Sequence, residues 1–323
     1  MKLTKSNQTS QSENKDKETI YASFYPIYNL TKQIAGDKME VKSFTNLKAE
    51  SHGWEPSAKD IAELSNAKLM FINGAGMEEW EDSLEDSTDI ELVDTSESLD
   101  LIKANHEDHD HDHDHEDEED DHDHEHEEEN ADHEHEEEHA DHNHEHNHGE
   151  FDPHTWLSPK NGLAQAKVIA EKLSQVDPAN KDYYMNNYQK IEDELNSMID
   201  EYSKKFEEAS NKNFLVNHKA FSYIARDFNL NQIALTSLTS TDDTDAKTLK
   251  EAVEKAKELN INTIFYEMAG SDKSAKTLAD EIGAEIKPLN TLELATDEDL
   301  DNNKTYQDLI RYNLEEIYKS LEK

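Results

Sequence analysis

Three histidines stand apart from the rest of the chain, and their neighbours are what a metal site needs. His52 lies in Ser51-His52-Gly53-Trp54-Glu55-Pro56-Ser57, His154 in Asp152-Pro153-His154-Thr155-Trp156, and His218 in Asn217-His218-Lys219-Ala220-Phe221. Each is placed in a loop beyond a β-rich run or just ahead of a helical pattern, where open α/β sheets put their ligand sites. Three imidazoles and one carboxylate form a closed tetrahedral donor set for Zn²⁺. Spacing alone does not choose the carboxylate: Glu293, Glu267, Asp152 and Glu55 are all loop candidates.

The other 15 histidines fall in one stretch, residues 105–149. They are His106, His109, His111, His113, His115, His122, His124, His126, His133, His135, His139, His142, His144, His146 and His148, set among 23 Asp or Glu with no Lys or Arg. Only Ala131 and Ala140 are apolar, so nothing repays the entropy of ordering this backbone, and a disordered loop is expected. Neutral imidazoles among carboxylates make a loose multidentate ligand set for a borderline cation, zinc first among them. The alternative, an acidic solvated linker, would favour Glu, Ser, Lys and Pro over histidine.

The tract distorts the composition. The chain has 323 residues and a formal charge of −44, but outside the tract 53 acids face 32 Lys+Arg, a net −21 on 278 residues. That is acidic but foldable, and long enough for two domains. Such a surface argues against nucleic acid and anionic membrane as ligands. With no cysteine, disulfides and cysteine zinc sites are excluded. No apolar run approaches the ~20 residues that span a bilayer. Residues 1–18 read as a flexible tether, expected to stand behind an export signal that has been removed.

The elements that must position the histidines alternate. Thr19–Tyr25 is a β-rich run ending at Pro26, and helical spacing follows to Gly36. Strands are expected over 40–44, 68–72 and 91–93, with a helix starting near Ser57. After His154 comes a helix through Leu163 and Leu173, then Asp177-Pro178 as cap and first position of a long helix. That helix carries Tyr184, Tyr188, Ile191, Leu195, Met198, Tyr202 and Phe206 on one face to about Ala209. Strands follow over 213–216, 233–235, 263–266 and 285–289, with helices between them and a final helix from Tyr306 to Leu321. This pattern predicts an α/β protein of two similar lobes, residues 19–177 and 211–323, each a mostly parallel sheet flanked by helices. A long helix within residues 178–210 joins them, and the His-rich loop is inserted in the first lobe. No sequence repeat relates the two.

The chain resembles the zinc-specific solute-binding proteins of ABC importers, the ZnuA/AdcA kind with a rigid interlobe helix. The resemblance rests on Ser23-Phe24-Tyr25-Pro26, on His52-Gly53-Trp54-Glu55-Pro56-Ser57-Ala58-Lys59-Asp60, and on Asn73-Gly74-Ala75-Gly76 with Glu79-Trp80. It continues in Asp152-Pro153-His154-Thr155-Trp156-Leu157-Ser158-Pro159, His218-Lys219-Ala220-Phe221 and Phe265-Tyr266-Glu267, and covers the chain from about Thr19 onward. It implies that Zn²⁺ is held by His52, His154, His218 and Glu293, with Glu267 serving lobe structure. Manganese relatives typically replace one histidine by a carboxylate, so the histidine at 218 favours zinc over manganese.

The resemblance further implies a non-enzymatic, monomeric protein outside the cytoplasm, at the cell surface or in a periplasm. An N-terminal lipid anchor would be its only membrane attachment, and an ABC permease its partner. The tract would then be a secondary zinc collector raising the local concentration near the cleft. Two rivals are a zinc buffer or surface adhesin without transport, and a zinc hydrolase. The hydrolase lacks an HExxH pattern or an obvious general base.

Overall fold

The structure is a computed structural model that describes residues 17–64, 67–104, 149–236 and 246–322. The tether up to residue 16 and the 15 tract histidines lie outside these residues. The first strand, β1 (Thr19–Ala22), stops short of the expected run, and α1 (Tyr25–Ala35) begins at Tyr25 with Pro26 in its first turn. Proline is tolerated there because the missing N–H has no helical partner in any case. β2 (Glu40–Ser43), α2 (Ala58–Glu63), β3 (Leu69–Ile72), α3 (Glu81–Ser87) and β4 (Glu91–Asp94) complete the first sheet region. Ser57 caps α2 through a reciprocal box with Asp60, as its spacing predicts.

Past the tract, a short 3₁₀ turn over Thr155–Leu157 leads into α4 (Pro159–Val176). A second such turn, Pro178–Asn180, precedes α5 (Lys181–Glu208). The long helix therefore starts three residues later than Asp177-Pro178 suggests. Asp177 is spent on the turn instead, accepting from the Asn180 amide and the Tyr184 hydroxyl at 2.7 Å each. At 28 residues and 1.5 Å per residue α5 is about 42 Å long. All seven residues of its expected apolar face are buried.

The second region runs β5 (Asn213–His218), α6 (Ser222–Asp227), β6 (Asn231–Thr236), α7 (Ala246–Glu258), β7 (Thr263–Glu267), α8 (Lys273–Ile282) and β8 (Glu285–Leu289). It ends with α9 (Asp297–Asp301) and α10 (Tyr306–Leu321). All pairings among these eight strands are parallel. The sheet orders, β2-β1-β3-β4 and β6-β5-β7-β8, are the same arrangement written twice. Parallel strands align their carboxyl ends, so loops leaving one edge of each sheet share a cleft.

The lobes do not have separate cores. One apolar cluster runs from Ile20 and Phe71 of the first sheet through Leu173, Leu195 and Phe206 to Val216 and Ile317 of the second. Smaller clusters lie outside it, around Ile264 and Leu278 in the second lobe and around Ile72 and Trp80 in the first. Gly162 in α4 is needed for this joint, because a Cβ there would fall 2.0 Å from the Tyr306 hydroxyl oxygen. That hydroxyl donates to the carbonyl oxygen of Trp156. A continuous close-packed core resists hinge bending. Among the described residues no helix is long and apolar enough to cross a membrane.

Candidate metal centre between the lobes

The three histidines converge. His52 arrives on the loop after β2, where Gly53 takes a φ of +65° and Trp54 wedges edge-on against Phe44 at 5.3 Å and Trp80 at 6.0 Å. His154 sits just before the turn at Thr155, and the buried Asn73 amide donates to the neighbouring Pro153 carbonyl at 2.9 Å. His218 is the last residue of β5 rather than a loop residue, since strand pairing continues to Thr236 of β6. The ring centroids of the three are 5.0 to 6.0 Å apart, and one nitrogen from each lies within 4.8 Å of the others. His52 Nε2 and His154 Nε2 approach to 3.1 Å.

The structure also separates the four carboxylates that spacing leaves open. Glu293 is 1 % exposed, and its Oε1 is 3.5 Å from His52 Nε2 and 3.6 Å from His154 Nε2. Asp152 binds the other side of His154, accepting from the ring Nδ1 at 2.8 Å and from the backbone N–H at 3.0 Å. Glu267 lies with its Oε2 3.5 Å from His218 Nδ1, so it belongs to the site as well as to the lobe. Glu55 is exposed and joins no donor group among the described residues. A second group, His218, Glu267 and Glu293, also converges within 4.8 Å.

Charge follows from this geometry. Burial alone would push the Glu293 carboxyl up, but the His154 and His52 rings beside it hold it well below the ordinary range. Burial likewise disfavours a charged His154, yet Asp152 and Glu293 outweigh it and raise the imidazole to about 9. Glu50, which spacing does not single out, is raised to about 8, first by partial desolvation and then by the Glu293 carboxylate beside it. Its only sequence signal is its place two residues before His52.

A metal ion fits these residues. Both Glu293 oxygens are buried, and the donors that face them are the His52 and His154 rings, at 3.5 and 3.6 Å, and Glu50. In the metal-free fold the protonated His154 answers the Glu293 charge, and a metal cation held by the same groups would answer it in the proton's place. Imidazole nitrogens and a carboxylate suit a borderline cation such as Zn²⁺. Asp152 and Glu267 occupy the places where outer carboxylates orient metal-bound histidines.

Two α/β lobes sharing a core, with a His₃–carboxylate group in the cleft, define a solute-binding protein of the metal-binding kind. The profile of the ZnuA family, zinc-uptake complex component A periplasmic, matches residues 20–320, and the chain belongs to that family. The high-affinity zinc uptake system protein ZnuA of Bacillus subtilis is 34 % identical over 309 residues, covering 95 % of this chain and 88 % of that protein. The zinc-binding lipoprotein AdcA of Streptococcus pneumoniae is 30 % identical over 313 residues. The match takes in 96 % of this chain but 57 % of AdcA, so the chain spans little more than half the length of that relative.

Solved structures agree. The Zn(II)-bound ZnuA-like domain of S. pneumoniae AdcA superposes with a TM-score of 0.73 at 27 % identity, covering 95 % of this chain and 100 % of that one. The laminin-binding protein of Streptococcus agalactiae, described as bifunctional with adhesin and metal transporting activity, gives 0.75 at 28 % identity. It covers 94 % of this chain and 99 % of its own.

Proposed function

We propose that this protein captures Zn²⁺ in the cleft through His52, His154, His218 and Glu293, outside the cytoplasm, and delivers it to the permease of an ABC importer. The observation that carries this reading is the buried Glu293 carboxylate facing two imidazoles 3.5 and 3.6 Å away, with the His218 ring beside them. Zinc is the cargo. Each ligand does one thing to it. His154 is fixed by Asp152 through Nδ1, which leaves Nε2 for the metal, and Glu267 approaches His218 Nδ1 more loosely, at 3.5 Å. Glu293 supplies charge, so the four donors leave a net +1 that Asp152 and Glu267 offset.

Release is then a movement of loops, with proton return to His154, because the shared core holds the lobes together. The closed donor set argues against a hydrolase, which needs an open fourth position. The His-rich tract acts as a secondary collector of weak exchanging sites. Surface adhesion stays as a second reading because the laminin-binding relative combines it with metal transport. Zinc stoichiometry and affinity of a chain lacking residues 105–149, alone and with His52→Ala, His154→Ala or His218→Ala, test the assignment. One tight zinc, weakened by each substitution, is expected. Wild-type affinity in all three variants would refute it.

A further inference from the structure

Glu293 leaves the second lobe, but the first lobe holds its backbone. Trp156, fully buried two residues after His154, donates its indole N–H to the Thr291 carbonyl at 2.7 Å. The indole is fixed from its own side, meeting Phe24 edge-on at 4.9 Å and lying 5.3 Å from the His154 ring. Beyond Thr291 the Ser51 hydroxyl donates to the Glu293 carbonyl at 3.3 Å, and the Ala295 N–H donates to the Leu47 carbonyl at 2.6 Å.

Between Thr291 and Glu293 the backbone is strained. Leu292 has a φ of +59°, the left-handed region, and its side chain is fully buried. A bulky residue keeps that conformation only where its surroundings over-determine it. Here they help: the Leu292 N–H donates to the Asn290 side chain at 2.8 Å, and the Asn313 side chain brackets Asn290, accepting from its backbone N–H at 2.9 Å and donating to its carbonyl at 2.6 Å.

We propose that Trp156 is a positioning residue for Glu293. Its indole N–H holds the Thr291 carbonyl, secures the left-handed turn at Leu292 and so aims the Glu293 carboxylate at His52 and His154. This rests on the zinc reading of the cleft and changes its division of labour: the Glu293 loop, anchored in the second lobe through Asn290 and Asn313, is held by the first lobe's frame as well. Without the indole bond, Leu292 relaxes toward ordinary φ and the carboxylate turns away. Apparent zinc affinity then falls in proportion to the molecules that still hold the turn.

The test is a double-variant cycle on the full chain, read as Zn²⁺ affinity by competition with a chromophoric chelator. Trp156→Phe keeps an aromatic ring and removes the donor. It is expected to weaken binding about tenfold in the parent and to weaken it no further in Glu293→Gln, where the aimed group is already altered. Parental affinity in Trp156→Phe, or the same loss in both backgrounds, overturns the proposal.

If the buried ring cannot be replaced without unfolding, the unsubstituted protein decides. Hydrogen exchange of the three indole N–H groups by NMR is expected to show the Trp156 proton slow with and without zinc. Exchange as fast as that of a free indole overturns the proposal. Failure of the zinc reading is distinguishable, because Glu293→Gln alone would then leave zinc affinity unchanged while the Trp156 proton stayed protected.

Discussion

His154 and Glu293 occupy equivalent places in two sheets that share one strand order. Each follows the last strand of its sheet, β4 ending at Asp94 and β8 at Leu289. Both are essentially unexposed, at 0 % and 1 %. The other two donors break the equivalence. His52 follows β2, at the edge of its sheet, whereas His218 ends β5, the counterpart of β1. The second lobe's match for the His52 loop follows β6 and lies outside the described residues. The comparison teaches that the fold's repetition builds a buried, braced pair, His154 with Glu293, while His52 closes the site from a loop whose side chain is still 12 % exposed.

The most damaging way to break that comparison is His154→Ala. The change removes a donor and leaves Asp152 and Glu293 as buried carboxylates without their shared partner. Zinc affinity is expected to fall by about 10³-fold, the scale of breaking a buried ion pair. His52→Ala, on the accessible side, should cost about ten times less. Chelator competition on the tract-deleted chain measures both. An equal or larger loss at His52 would dissolve the distinction between a braced pair and a closing ligand.

Asp152→Asn sharpens it further. The amide cannot replace the carboxylate in orienting His154, and a loss of roughly 10- to 100-fold is expected. Glu267→Gln should cost less, because Glu267 lies 3.5 Å from His218 whereas Asp152 lies 2.8 Å from His154. The reverse ranking would show that the second lobe braces its histidine more firmly than the first.

The braced pair should also be visible in pH dependence. His154, raised to about 9 from 6.5, is charged in the metal-free fold at neutral pH. A raised pKa stabilises the fold fully below the unfolded value and stops doing so as pH rises through the folded one. Thermal stability of the metal-free protein is therefore expected to decline between pH 6.5 and about 9. Glu293, held low, acts in the opposite sense, its contribution being lost as pH falls below the ordinary carboxylate range. Zinc needs the neutral ring, so binding at pH 7 to 8 should release a proton. Calorimetry in buffers of different ionisation enthalpy counts it, and a count of zero would place His154 neutral before metal arrives.

Much of this was legible in the sequence. Apolar spacing on α5 is written in residues that have no other reason to recur, and the three histidines outside the tract marked the cleft. Other parts were not. Pro26 looked like a strand terminator because a proline breaks a strand and opens a helix with the same chemistry. The helix α3, with Leu84 its only buried residue, shows no apolar period to read. The nearness of Glu267 to His218 depends on the register of β7 beside β5, which composition does not carry. The strain at Leu292 and the indole bond from Trp156 are tertiary facts with no local signature.

The smallest expected effect concerns the place where the two lobes differ most in length. From β8 to Glu293 the chain crosses Asn290, Thr291 and Leu292; from β4 to His154 it crosses the whole tract. Yet the two ends of that insertion meet. Lys103 bridges Phe151, Ala104 donates to the Glu150 carbonyl at 2.7 Å, and Asp152 donates to the Ile102 carbonyl at 2.8 Å. The root is braced again from α6, where Tyr223 accepts from the Ile102 N–H at 3.2 Å and donates to the Asp152 carbonyl at 2.7 Å. The frame that carries Asp152 and His154 is therefore closed before the tract begins. Replacing residues 105–149 by a short turn should leave the affinity of the tight site within about twofold, the scatter expected of independent regions, while total bound zinc drops. A tight site that disappears with the tract would mean that the first lobe's buried donors depend on the insertion, and the equivalence of His154 with Glu293 would fail.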